Sequence, residues 1–241
     1  MSCGQPHYMP LPGASEDVSQ TARLGDELAM AIHLGDLKPG APLREVDLAE
    51  AHGVSRTIVR AALQRLEAQG LADIVLNKGA RVRSVKADAV PDLIELHASL
   101  AALGASHAAM RADDASISMM KRFVDMMDHV ATEGAAAREV QHLRVGFMRS
   151  LFEAAGPTLA ERLRIAAPVV PHHDNAMGDI ASAVGQKEVA RLARDILTAV
   201  TRRDAEAAGR AAQTLIERHG ERTREIVVPT PVQRGKRNRA A

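Results

Sequence analysis

Between residues 55 and 66 the apolar positions are Val59, Ala62, Leu63 and Leu66, the i, i+3, i+4, i+7 spacing of one buried helix face. Ser55 stands just ahead of them as an N-cap, its side-chain oxygen placed to accept from a free N–H of the first turn. Arg56, Thr57 and Arg60 fall on the other side, at the start of the helix. Upstream, Leu24, Leu28 and Ile32 mark another helix, stopped by the turn signal GDLKPG at 35–40. Between the two, a short helix from about Glu45 to His52 buries Leu48 and Ala49, and Gly53 breaks it. Two short helices joined this tightly make a helix-turn-helix, whose second helix is shaped to enter a major groove.

After Gly70 the period changes. LADIV at 71–75 reads as a strand, Asn77-Lys78-Gly79 as a tight turn and ARVRSV as the returning strand. A β-hairpin behind a helix-turn-helix is a wing, with Lys78 at its tip and Arg81 and Arg83 alternating along one side. From Asp88 onward every periodic segment is helical. Pro91 suits a first turn, with Leu93, Ile94, Leu100 and Leu103 behind it. A second helix buries Ile117, Met120, Val124 and Met127, and a third buries Val140, Phe147 and Leu151 before the break at Gly156-Pro157. A short fourth lies around Leu159 and Leu163, and PVVPHHDNAMGD reads as a loop. A fifth carries Val189, Leu192, Ile196 and Val200, and Asp204 caps a sixth that runs to about Ile226. The fold class is therefore mainly α: an N-terminal winged helix-turn-helix and a C-terminal antiparallel helical bundle, an architecture that places ligand sites between facing helices. The division runs 1–17 as a loose arm, 18–86 as the winged unit, 87–228 as the bundle and 229–241 as a basic tail.

Charge sharpens the picture. A net charge of +1 hides a segregation: residues 16–52 carry eight acidic groups against three basic, whereas residues 53–86 carry seven basic groups against Glu67 and Asp73. A local basic surplus is the footprint of a polyanion-binding face. Taken alone, Arg56 and Arg60 would be a solvated helix face, as most charged faces are. Arginines, a Ser/Thr pair and a basic wing on one surface are rarely assembled by solvation, and that favours function. With no Trp, one Tyr and three Phe, the chain has few platforms for stacking single-stranded bases. Its one cysteine, Cys3, rules out a disulfide framework and a cysteine-based zinc site. The N-terminus lacks the order of a signal peptide and no apolar run reaches membrane-spanning length, so a cytoplasmic protein without a membrane partner is expected.

Residues 22–84 closely resemble the winged helix-turn-helix of GntR-family transcriptional regulators. The likeness rests on LGDLKPG at 34–40, LREVDLAEAHGVSRTIVRAALQRLEAQGL at 43–71 and NKGARV at 77–82. The remainder is similar, with weaker matches at 90–112, 146–159 and 195–208, to the helical ligand domain of the FadR subfamily. The resemblance implies a homodimeric repressor or activator that binds a palindromic double-stranded DNA operator and responds to a small-molecule effector. By position, Ser55, Arg56, Thr57 and Arg60 correspond to the base- and phosphate-contacting set, Lys78 and Gly79 to the wing tip, and Arg44 to a further phosphate contact. The chemistry agrees: arginine suits a bidentate contact to guanine, and hydroxyls suit phosphate oxygens.

In one respect the chain departs from that family. Many relatives hold a divalent metal with an Asp and a His four apart on one helix and a His from each of the last two long helices. Here Arg144 stands at the Asp, Met148 at the first His and Ala193 at the next. His219 reaches the last position only with a one-turn shift, and otherwise Leu215 falls there. No metal and no cofactor are therefore expected. His97 replaces a common Arg and is placed to face the pocket. His219 shares a face with Leu215 and Ile226, where a lone histidine is more often a hydrogen-bonded core residue than a ligand. His172 and His173 are adjacent, so their side chains point apart and a joint metal site is not expected. The effector set is thus His97, Arg144, Met148 and His219. In this set Arg144 would bind an organic acid or acyl anion through its planar fork while Met148 lines the apolar part. The alternative for Arg144 is that it flanks the buried face, snorkels outward and pairs with a surface acid. The paired methionines 119/120 and 126/127 read as core filling.

An enzyme needs a nucleophile with a base, paired acids or a phosphate loop, and neither GxxxxGK[ST] nor GxSxG occurs. Two readings stay open beside the effector-controlled regulator. One is a ligand-independent dimeric DNA binder whose bundle serves only dimerisation, and the other is a metal-dependent sensor with a non-standard site.

Overall fold

The computed structural model describes residues 19–75, 79–134, 136–166 and 182–227, without the side chains of 87, 162–166, 183, 219 and 221–227. Lys78 and the His172/His173 loop lie outside the described residues, as does the His219 side chain. The chain is mainly helical, with one small antiparallel sheet.

Helix α1 (Gln20–His33) is capped by Ser19, which accepts from the Ala22 N–H, and it buries Leu24, Leu28 and Ile32. Strand β1 (Pro42–Leu43) leads into α2 (Glu45–His52). Gly53, at φ 63°, ends α2 in the left-handed region, where a Cβ would be strained. Helix α3 (Arg56–Ala68) follows at once, capped by Ser55, whose side-chain oxygen accepts from the Ile58 N–H at 3.3 Å. Strands β2 (Ala72–Val75) and β3 (Gly79–Val82) form the hairpin. Sequence periodicity does not reveal β1, a two-residue strand whose pairing with β3 makes a three-stranded sheet in the order β1-β3-β2. Val59, Ala62, Leu63 and Leu66 are all at most 2% exposed and join Leu24, Leu28, Leu43 and Val82 in one core. Full burial of each large aliphatic side chain contributes roughly 1.5–3 kcal/mol.

The second core is formed by α4 (Val90–Arg111), α5 (Asp114–Glu133), α6 (Ala137–Ala154), α8 (Ala183–Thr201) and α9 (Ala205–Val227), with α7 (Pro157–Ala166) against its flank. Met120, Val124, Met127, Phe147, Leu151, Leu192, Ile196 and Val200 are buried in it as their spacing predicts, and Asp204 caps α9 by accepting from the Ala207 N–H. The face of α4 corrects the sequence reading. Leu93 and Leu100 are half-buried and Leu103 is 44% exposed, while Ala98, Ala101, Ala105, Ala108 and Ala109 are inside. The reason is the closeness of α9: a Cβ on Gly209 would stand 2.6 Å from the Ser106 hydroxyl oxygen, so only small residues fit between the two helices. Where leucine would force the helices apart, alanine lets dispersion contacts close.

Ion pairs join α6 to the first unit. Arg138 meets Asp36 at 2.6 Å, and Arg149 meets Asp26 at 3.1 Å. A small apolar group of Val90, Ile94, Val85 and Leu93 lies where the chain passes from one core to the other.

Candidate nucleic-acid interface

The outward side of α3 is built by its inward side. With Val59, Ala62, Leu63 and Leu66 fixed in the core, the helix must present Arg56, Thr57 and Arg60 to solvent. The Arg56 and Arg60 side chains are 64% and 63% exposed. Arg44, at the N-cap position of α2, is 73% exposed and stands 3.8 Å from Asp47. Gly79 opens β3 at φ 80°, which only glycine adopts without strain. Ser55, Arg56, Thr57, Arg60 and Arg44 are therefore brought to the helix-turn-helix, with Gly79 on the hairpin behind it.

Three features differ from the sequence reading. The basic residues of the hairpin are partly committed: Arg83 Nε donates to Asp73 at 2.9 Å, and Arg81 Nη1 donates to the Gly40 carbonyl at 3.2 Å. Arg65 turns back toward α1, 3.9 Å from Asp26. An acid also sits among the cations of α3. Glu45, the first residue of α2, accepts from Arg60 Nε and Nη2, both at 2.9 Å, and its Oε2 is 3.7 Å from Arg56 Nη2. The hydrogen bond from Arg60 is the main cause holding this carboxyl below its usual range.

A second cationic group lies inside. Arg144 is 5% exposed, and among the described residues its hydrogen bond is Nε to Gln141 Oε1 at 2.9 Å, with no carboxylate beside it. The outward, acid-paired alternative for this arginine does not hold. Burial pulls its pKa down to about 10. Half-buried His97 on α4 and His33 at the end of α1 are both held down to about 4, first by burial and then by repulsion from Arg144. His33 and Gln141 complete a cluster in which sequence reasoning named only Arg144 and His97. No periodicity distinguishes a helix-terminal histidine or a core glutamine, so nothing in the sequence signals either. Met148 is 7% exposed, and Ala193 and Leu215 are buried with it in the bundle core. Among the described residues no group of three or more His, Cys, Asp or Glu is placed to hold a metal.

Helix-turn-helix, a Ser-capped second helix and a hairpin in a three-stranded sheet together define a winged helix-turn-helix fold with an appended helical bundle. Residues 20–82 match the model of bacterial regulatory proteins, gntR family. The chain is 36% identical over 97 residues to the Nta operon transcriptional regulator of Aminobacter aminovorans, covering 40% of this chain and 45% of that protein. It is 30% identical over 134 residues to the probable D-xylose utilization operon transcriptional repressor of Paenarthrobacter nicotinovorans, covering 56% and 58%. The chain thus spans about half the length of the curated relatives it matches. The E. coli structure McbR/YncC shares the fold at TM-score 0.72 and 18% identity, covering 87% of this chain and 99% of that one. A putative GntR transcriptional regulator from Rhodococcus sp. RHA1 does so at TM-score 0.57 and 23% identity, covering 86% and 98%. The family and these two operon regulators are regulatory proteins, not enzymes.

Proposed function

We propose that the chain is a dimeric, sequence-specific transcriptional regulator of the FadR type, a repressor whose grip on a palindromic operator is set by a small organic acid or acyl anion. Residues 18–86 bind the DNA, and residues 87–228 bind the effector and dimerise. The carrying observation is the capped α3, locked by one face into its core and presenting Arg56, Thr57 and Arg60 on the other. Operon regulators among the relatives, one of them named a repressor, support the same reading.

A helix reads only a few base pairs, so specificity calls for two half-sites and hence a dimer. Leu96, Leu103 and Met110 support one: spaced at sevens along α4, they form an apolar stripe 47%, 44% and 58% exposed. The anion reading is supported by Arg144, a buried guanidinium that lacks an acid among the described residues. A buried charge is costly until paired, and a carboxylate supplies both the charge and the geometry for a fork.

Selection of duplexes from a random-sequence pool by the full chain tests the DNA-binding role. It should yield a short palindrome. Arg56→Ala and Arg60→Ala should each weaken binding to it by about 1–3 kcal/mol while the protein stays folded. An enriched site without two-fold symmetry, or wild-type affinity from either variant, refutes the reading.

A further inference from the structure

Glu45 is an unexpected neighbour for two residues assigned to a polyanion. Its side chain is 26% exposed, those of Arg56 and Arg60 more than twice that, and all three share one oxygen-centred contact. An exposed ion pair adds little stability. Nor does it help bulk attraction to DNA, since the carboxylate cancels part of the positive charge and repels phosphate. Its effect must be sought in geometry.

A guanidinium has two forks of donors. Glu45 takes the side fork of Arg60, with Nε on Oε1 and Nη2 on Oε2. The end-on fork remains, made by Nη1 and the second hydrogen of Nη2, and it matches the O6 and N7 acceptors of guanine. The clamp also removes rotamer freedom that an unbuttressed arginine would lose on binding. The same Oε2 also lies 3.7 Å from Arg56 Nη2 and keeps that second cation beside the first.

The geometry points to Glu45 as a specificity-determining positioning residue, one that holds Arg60 end-on for a guanine edge and disfavours phosphate contacts by the same arginines. This rests on the reading of α3 as the recognition helix. The hydrogen bond from Arg60 holds the Glu45 carboxyl below its usual range, so at neutral pH it meets the arginines as an anion.

The test uses the full chain and a duplex it selects from a random pool, with each guanine replaced in turn by 7-deazaguanine, which lacks the N7 acceptor. Wild type should discriminate against the replacement at one guanine per half-site by about 5-fold or more, the lower end of the range of a bidentate base contact, because O6 is kept and only N7 is lost. Glu45→Gln should reduce that discrimination toward the level of Arg60→Gln. Its affinity for a scrambled duplex should hold or rise, with a steeper salt dependence. Wild-type discrimination at every guanine in Glu45→Gln, or an equal loss of affinity for selected and scrambled duplexes, overturns the proposal. Should Glu45→Gln fail to fold by circular dichroism, Arg60→Lys decides. It keeps the charge and Glu45 but lacks the fork, so discrimination at the same guanine must fall, and its retention overturns the proposal. A pool with no enriched sequence removes the reading of α3, and the proposal with it. An enriched sequence with Glu45→Gln unaltered removes only the role of Glu45.

Discussion

Acidification should strain the cluster around Arg144 before it affects the surface. His33 and His97 have folded-state pKa values of about 4 against 6.5 for the free side chain, with burial the larger cause and Arg144 the next. Both are depressed, so below pH 6.5 the unfolded chain binds more protons than the folded one, and stability falls as pH drops toward 4. Between pH 7 and pH 5 the linkage amounts to about 2 kcal/mol for each histidine, about 4 kcal/mol for the pair, as an upper figure because both rings keep some exposure. His142, also lowered by burial, adds in the same direction. The carboxyl groups of Glu45 and Asp113 are held below their usual range and therefore act at lower pH, outside this window. Urea unfolding followed by circular dichroism at pH 7, 6 and 5 measures the slope, and the double variant His33→Gln/His97→Gln should flatten most of it. A wild-type stability that is level across the window, or an equal loss in the double variant, refutes the argument.

The buried arginine and the exposed stripe of α4 each carry a further expected outcome. A small carboxylate that raises the melting temperature of the wild type should shift Arg144→Gln far less, since the fork is gone; an unchanged shift, or stoichiometric zinc in the purified protein, contradicts the carboxylate site. Leu103→Asp places a charge in the exposed stripe of α4 and should leave a folded monomer by light scattering at micromolar concentration, whereas a persistent dimer excludes that face.

How much of this was legible depended on the range of the interaction. The α3 face, the Ser55 cap and the Gly53 break are local, and spacing alone locates them. Strand β1 was not legible, because two residues carry no period and Pro42–Leu43 becomes a strand only by pairing with Arg81 and Ala80. On α4 hydrophobicity pointed to Leu103, but the close approach of Gly209 selects by size and puts alanine inside. Charge counted by segment separated Glu45 from Arg60, fifteen positions apart, and the fold brings them into contact. Arg144 lay on the margin of its helix pattern, and only the packing of α6 decides that it points inward.

The central claim, that α3 and the wing read a DNA sequence, is tested most directly by one ratio. Fluorescence anisotropy at physiological salt would give the affinity of the full chain for a duplex carrying the selected palindrome and for the same duplex with both half-sites scrambled. Specific recognition predicts at least about a 10³-fold preference for the palindrome. A ratio near one, with binding that merely weakens as salt rises, would contradict it.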